Sequence, residues 1–126
     1  MVALVVDDSM LIRYTVSRYL QQRGFTVESA TNGAEALEVL ARLQPDLIVT
    51  DMQMPKMSGN ELIAAVKSDP RTANVPIIVV ARRSSSFEES QKVANFAIYK
   101  DIDIEEQLAK ALNAVMGKAK AHAAGK

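Results

Sequence analysis

The sequence predicts an α/β fold in one domain, with a parallel β-sheet covered by helices on both faces. Five short runs rich in Val, Ile and Ala alternate with stretches of helical periodicity, and this alternation is typical of sheets joined by right-handed crossovers. The chain has 126 residues, of which 48% are hydrophobic and 24% are charged, as in an ordinary globular domain. It contains no cysteine, so a hydrophobic core rather than disulfides must stabilise it.

The five predicted strands come at regular intervals, and most are apolar enough to be buried on both faces of a sheet. They span residues 2–6, 25–30, 47–50, 76–80 and 96–99.

Between the strands, five stretches have helical periodicity. The first begins at Ser9, a good N-cap, and ends at Gly24; the second follows Asn32-Gly33. The third runs from about Gly59 to just before Pro70. A polar stretch over residues 84–94 is the weakest of the five. The last helix places its apolar stripe over residues 104–115, and Gly117 closes it.

Charge and hydropathy exclude several classes of function. The 15 basic and 15 acidic residues cancel, which argues against a nucleic-acid or membrane-surface binder. No run approaches the roughly 20 apolar residues that span a bilayer, and the start has no signal-peptide pattern, so we expect a cytoplasmic protein. We predict a domain over residues 1–117 and a flexible basic tail, or the start of a linker, over 118–126.

Charged side chains follow three of the predicted strands. Asp7 and Asp8 follow the first strand, Asp51 the third and Lys100 the fifth. In a sheet of strand order 2-1-3-4-5 the first and third strands are neighbours, so the three carboxylates would meet at the edge where ligands bind. Such a cluster is unfavourable without a cation, and Mg²⁺ is the natural one. With a cation and Lys100 beside it, Asp51 is suited to attack a phosphoryl group.

Each of these residues alone has a plainer interpretation. Asp7 and Asp8 would cap the first helix, Asp51 would begin a turn, and Lys100 would be a solvated surface charge. All four at one edge of the sheet are harder to explain by coincidence.

Five segments form a recognisable pattern, which covers about residues 2–116. They are Val5-Val6-Asp7-Asp8-Ser9, Thr50-Asp51-Met52-Gln53-Met54-Pro55, Met57-Ser58-Gly59, Val75-Pro76-Ile77-Ile78 and Tyr99-Lys100. Together they resemble the receiver domain of bacterial two-component response regulators, which has a flavodoxin-like (βα)5 fold.

The resemblance implies a role for each matching residue. Asp51 would be the phosphoacceptor, and Lys100 would contact the phosphoryl group. Asp8, Asp51 and the backbone carbonyl of Gln53 would ligate Mg²⁺, with Asp7 holding the metal through water. The phosphodonor would be a histidine kinase or a histidine phosphotransfer protein.

The chain departs from the family pattern where receivers report phosphorylation. The fourth strand normally ends in Thr or Ser but here ends in Ala81, and Arg82 stands where a small residue is usual. Ala97 lies near the usual aromatic position of the fifth strand. The family's Lys-Pro pair is Lys100-Asp101, which removes a cis-proline turn. Either Arg82 or Arg83 replaces the missing hydroxyl as the hydrogen-bond donor to the phosphoryl group, or both arginines point to solvent.

Three functions are therefore open. The first is a Mg²⁺-dependent phosphoacceptor with altered switch coupling, which catalyses only its own phosphorylation and dephosphorylation. It would signal to an unknown downstream protein without touching nucleic acid or membrane, with a homodimer left open. The second is a pseudo-receiver that works without phosphorylation. The third is a small Mg²⁺-dependent phosphohydrolase, which the absence of a second acid for the leaving group disfavours.

Overall fold

A computed structural model describes residues 1–52, 57, 59–81, 95–99 and 103–115. The described part holds five strands and four helices. In chain order they are β1 Val2–Val6, α1 Met10–Gln22, β2 Thr26–Ala30, α2 Gly33–Arg42, β3 Leu47–Asp51, α3 Gly59–Ser68, β4 Ile77–Ala81, β5 Phe96–Tyr99 and α4 Ile104–Val115.

The strands form one parallel sheet of order β2-β1-β3-β4-β5, which confirms the predicted fold and strand order. Two strands end one residue later than predicted, and β4 begins at Ile77 rather than at residue 76. β3 continues through Asp51, which pairs with Val80, and β4 continues through Ala81, which pairs with Tyr99. Both side chains are therefore held by the sheet itself rather than by the loops that follow.

The helices cover the two faces of the sheet, and alternate residues of each central strand point to opposite cores. Leu4 and Val6 face α2 and α3, whereas Ala3 and Val5 face α1 and α4. Full burial of a large aliphatic side chain contributes about 1.5–3 kcal/mol. The largest side chains buried in the two cores are Leu4, Leu20, Leu47, Ile48, Leu62, Ile77, Ile78, Ile98 and Leu108.

The helix ends follow their sequence signals. The Ser9 hydroxyl caps α1 by accepting from the Ile12 N–H at 3.3 Å, and the Asn32 side chain caps α2 by accepting from the Glu35 N–H at 2.9 Å. After α1 the chain reverses at Gly24, whose φ of +92° lies in the left-handed region that glycine tolerates. These caps fix where α1 and α2 leave the sheet.

The second strand is less buried than expected. β2 begins at Thr26 rather than at residue 25, and Thr26 and Ser29 are exposed because β2 lies at one edge of the sheet. The predicted helix over residues 84–94, Gly117 and the predicted tail over 118–126 lie outside the described residues. None of the helices that the structure describes has the length and apolar character needed to cross a bilayer.

Candidate functional site

Three carboxylates meet at the carboxyl ends of β1 and β3. The two strands are neighbours, with Val6 opposite Thr50, so the residues that follow them come together. Asp7, Asp8 and Asp51 each place one oxygen within 4.8 Å of the others. Asp7 and Asp51 are only 2% and 5% exposed, whereas Asp8 is open to solvent. The cluster therefore has a buried floor and one accessible acid.

Backbone and side-chain hydrogen bonds hold Asp7 in place. Its Oδ1 accepts from the Ser9 N–H at 2.8 Å, and its own N–H donates to the Ala30 carbonyl at 3.1 Å. The Asp7 carbonyl accepts from Nη1 of Arg13 at 2.8 Å. The two acids also precede the N-terminus of α1, where the helix dipole favours negative charge. The cluster is thus built into the strand-to-helix turn.

The sequence analysis did not identify Arg13 as part of this site. Position 13 lies one turn into α1, which brings its guanidinium within hydrogen-bond distance of the Asp7 carbonyl. Helical spacing from the acidic pair could have indicated it, but an arginine at such a position is more often a solvated surface residue.

The chemistry of this cluster fits a hard divalent cation. Carboxylate oxygens are the ligands that Mg²⁺ and Ca²⁺ prefer, and Mg²⁺ is commonly held by one or two carboxylates while it keeps several waters. Three carboxylates so close repel one another unless a cation or a proton joins them. The depth of Asp7 and Asp51, with Asp8 at the surface, leaves the outer side of the cluster for water or a phosphate oxygen.

Two methionines that follow Asp51 in the chain, Met52 and Met57, contact the core. Met52 is buried in the core that faces α2 and α3, and Met57 packs against the same core. Met57 also lies against Gly33 at the start of α2. A Cβ built on Gly33 would come within 2.7 Å of the Met57 side chain. Glycine at position 33 therefore leaves room for the Met57 side chain. Gln53 lies outside the described residues.

In the sheet order β4 lies next to β3, which carries Asp51, and β5 lies next to β4. Ala81 is buried at 1% exposure and brings no hydroxyl to this edge. Ala97 is half-buried opposite Val79. The sequence-predicted residues Lys100, Arg82 and Arg83 lie outside the described residues, so the structure does not place them.

An exposed apolar surface adjoins the cluster. Met10, Leu11 and Tyr14 are 75%, 71% and 60% exposed on the first turns of α1, directly after Asp8 and Ser9. A shallow groove beside them also includes Arg13, Arg18 and Ser29. Large apolar side chains grouped in this way are typical of a surface that contacts another protein.

Comparison with known proteins places these features in context. The family model of the response regulator receiver domain matches residues 3–113. The DNA-binding dual master transcriptional regulator RpaA of Synechocystis is 31% identical over 110 residues, which are 85% of this chain and 46% of that protein. The response regulator MprA of Mycobacterium ulcerans is 40% identical over 85 residues, 68% of this chain and 36% of that protein. The chain thus spans less than half the length of these two relatives.

Solved structures give the same comparison in three dimensions. The chemotaxis response regulator CheY4 of Vibrio cholerae superposes with a TM-score of 0.82 at 35% identity. The match covers 90% of this chain and 97% of that one. Nine-tenths of this chain therefore has a counterpart in a protein of similar size.

Proposed function

The chain belongs to the response regulator receiver domain family, and from that premise we propose that it accepts a phosphoryl group on Asp51 and signals through protein contacts. The observation that carries the proposal is the cluster of Asp7, Asp8 and Asp51 within 4.8 Å at the carboxyl ends of β1 and β3. The donor would be a phosphohistidine on a histidine kinase or a histidine phosphotransfer protein. Catalysis would extend only to the domain's own phosphorylation and dephosphorylation.

Asp51 is the nucleophile in this proposal. One of its carboxylate oxygens forms a bond to phosphorus as the phosphorus–nitrogen bond to the donor imidazole breaks. The imidazole keeps that electron pair and takes a proton from solvent, and the product is an acyl phosphate on Asp51. Asp51 is the last residue of β3, so the sheet holds this nucleophile at the edge where the donor would approach.

Asp8, Asp51 and the Gln53 carbonyl would hold Mg²⁺, and Asp7 would hold it through water. When bound, Mg²⁺ supplies positive charge that neutralises the phosphoryl oxygens. Asp7 contributes a fixed, buried acceptor because the Ser9 N–H and the turn into α1 hold it in place. Lys100 would contact the phosphoryl group from the side of β5.

The response to phosphorylation would differ from that of an ordinary receiver. Ala81 has no hydroxyl to hydrogen-bond the new phosphoryl group. We propose that Arg82 or Arg83 supplies charge-assisted hydrogen bonds in its place. Phosphorylation adds a charge of about −1.5 to −2 at this edge, which an arginine would recognise.

The donor would dock on the exposed apolar surface of α1, formed by Met10, Leu11 and Tyr14. Asp51 is only 5% exposed, so a donor histidine must be guided into the edge of the sheet by contacts around it. The α1 surface begins two residues after Asp8, and it is the largest group of exposed apolar side chains in the described part. A protein of this kind would act in the cytoplasm, and a downstream protein would read its phosphorylated state without direct contact to nucleic acid.

One assay tests this proposal. The protein is incubated with Mg²⁺ and a small phosphodonor such as acetyl phosphate, and its intact mass is measured beside Asp51→Asn and Asp46→Asn. Asp46 is an exposed aspartate at the opposite end of β3, so its replacement is the matched control. We expect one added phosphoryl mass in the wild type and in Asp46→Asn, and none in Asp51→Asn.

The other two functions predict different results. A protein that neither gains mass nor binds Mg²⁺ is a pseudo-receiver that works by constitutive contacts. Steady turnover of unrelated phosphate esters identifies a phosphohydrolase.

A further inference from the structure

An arginine side chain spans the turn between β1 and α1. The chain bends at Asp8, between the last residue of the strand and the first residue of the helix. The backbone N–H of Arg13 donates to the Ser9 carbonyl at 3.0 Å, and Nη1 of Arg13 donates to the Asp7 carbonyl at 2.8 Å. One residue of α1 therefore holds the backbone on both sides of the bend.

The two acids of this turn are held in different ways. Asp7 is buried, its Oδ1 accepts from the Ser9 N–H at 2.8 Å, and its own N–H donates to the Ala30 carbonyl at 3.1 Å. Asp8 is exposed, and within the described part of the chain no hydrogen bond or ion pair holds its carboxylate. The place of the Asp8 carboxylate therefore depends on the backbone that carries it.

The hydrogen bond from Arg13 acts on that backbone. The Asp7 carbonyl belongs to the peptide group that joins Asp7 to Asp8. Because a peptide group is planar, a bond to its oxygen also restricts the orientation of the Asp8 N–H and Cα. A charged guanidinium makes a stronger bond of this kind than a neutral donor does. The contact therefore limits rotation of the one peptide group that separates the buried acid from the exposed one.

We infer that Arg13 is a positioning residue for the cation: by holding the peptide between Asp7 and Asp8, it fixes where the Asp8 carboxylate meets the metal. This inference rests on the proposed function, because it takes Asp8 as a Mg²⁺ ligand. Arg13 itself touches neither the cation nor the phosphoryl group in this scheme. Its contribution is to have the exposed ligand in place before the cation arrives.

The charge of the guanidinium offers a competing explanation with the opposite sign. A positive charge beside the acidic cluster stabilises the carboxylates when no metal is bound, and it repels a divalent cation. Loss of a pure countercharge would therefore tighten Mg²⁺ binding, whereas loss of a positioning contact would weaken it. A contact that only stabilises the fold would leave the Mg²⁺ affinity of the folded protein unchanged. The direction of the change in Kd separates the three roles.

The test compares Arg13→Met with the control Arg18→Met in the full chain. Methionine keeps an unbranched side chain with good helix propensity but removes the donor and the charge. Arg18 lies on the same helix and is exposed, and its described hydrogen bond goes to the Tyr14 hydroxyl at 3.3 Å. The control therefore makes the same change in net charge without touching the turn. Three quantities are measured on unphosphorylated protein: the Mg²⁺ Kd from an NMR titration of backbone amides, hydrogen exchange at the Ser9 amide in EDTA, and urea unfolding in EDTA.

We expect Arg13→Met to bind Mg²⁺ about tenfold more weakly than wild type. Loss of a group that orients a metal ligand typically costs about tenfold to a hundredfold in affinity, and the lost positive charge offsets part of this cost. The Ser9 amide, which donates to Asp7 within the same turn, should exchange faster in the variant. Arg18→Met should stay within about twofold of wild type at 0.15 M ionic strength, because salt screens an exposed charge.

The contrary results have distinct meanings. If Arg13→Met binds Mg²⁺ as tightly as wild type, the contact only stabilises the fold and the inference is wrong, whatever the change in urea. Tighter binding would identify a countercharge, and an equal loss in Arg18→Met would assign the effect to the charge of α1 as a whole; either overturns the inference. In these cases a wild type that still gains a phosphoryl group leaves the proposed function intact. If the wild type binds no Mg²⁺, the proposed function fails first and the inference falls with it.

Discussion

Replacing Asp51 with Asn should stabilise the protein in the absence of a divalent cation. The variant keeps the shape of the side chain but removes one charge from a cluster in which the carboxylate oxygens lie within 4.8 Å of one another. Two unit charges 4.8 Å apart repel by about 3.5 kcal/mol at an effective dielectric constant of about 20, and by about 0.9 kcal/mol in bulk water. The buried pair with Asp7 lies nearer the first value, and the pair with exposed Asp8 nearer the second.

Attractive contacts of the Asp51 carboxylate offset part of this repulsion. We therefore expect Asp51→Asn to raise the free energy of unfolding in EDTA by about 1–3 kcal/mol. Magnesium should reverse the order. At a concentration of ten times the Kd, a ligand that binds only the folded state stabilises it by about 1.4 kcal/mol. The wild type should gain this amount, whereas the variant, which lacks one anionic ligand, should gain much less.

The measurement is urea unfolding followed by far-UV circular dichroism, in EDTA and in MgCl₂, with NaCl added to equal ionic strength. Asp46→Asn, which removes an exposed charge from the other end of β3, controls for net charge and should respond to Mg²⁺ as the wild type does. The reasoning is refuted if Asp51→Asn is no more stable than wild type in EDTA, or if Mg²⁺ stabilises both proteins equally.

Three further substitutions test other parts of the structure. Gly33→Ala should lower the free energy of unfolding, because the new Cβ would come within 2.7 Å of the Met57 side chain. Alanine in place of glycine normally stabilises a helix by about 0.5–1 kcal/mol, so a variant that is more stable than wild type in urea would show that Met57 moves aside at little cost. Arg71 holds the pKa of Asp69 below its ordinary value through hydrogen bonds and charge. The stability that this contact contributes is present above the ordinary aspartate pKa, and it is lost as the pH falls through the lowered pKa of Asp69. Arg71→Ala should therefore raise the pKa of Asp69 in an NMR titration and weaken the loss of stability in acid. Leu108→Ala, at a fully buried position of α4, should cost about 2–5 kcal/mol in urea unfolding, and a cost below 1 kcal/mol would contradict the described packing of α4 on the sheet.

The sequence alone could predict the acidic cluster because the argument needs only topology. Once the first and third strands are neighbours in a parallel sheet, the residues after them must meet, whatever the details of the loops. Asp7, Asp8 and Asp51 do meet. The metal and phosphoryl roles of these residues remain predictions.

Individual contacts between elements were not predictable in the same way. The side-chain amide of Gln107 exchanges two hydrogen bonds with the backbone of Tyr99 at the end of β5, and nothing in the residues around Gln107 indicates this contact. The close approach of Met57 to Gly33 likewise brings together two residues that are about 24 positions apart in the chain. Such contacts arise from the exact distance between elements, which hydrophobic periodicity does not specify. The same holds for strand ends, where β3 and β4 each ran one residue past the predicted boundary.

The central place of β1 has a consequence for how the chain folds. All five residues of β1 are apolar and four of them are buried, yet both of its partners, β2 and β3, come later in the chain. During synthesis at roughly 5–20 residues per second, β3 is completed about two to nine seconds after β1. Through that interval an aggregation-prone strand has no finished sheet to join. The chain is therefore exposed to aggregation until β3 has been made. Variants that slow the pairing of β1 with β3 should lower the yield of soluble protein even where the structure and stability of the folded domain are unchanged.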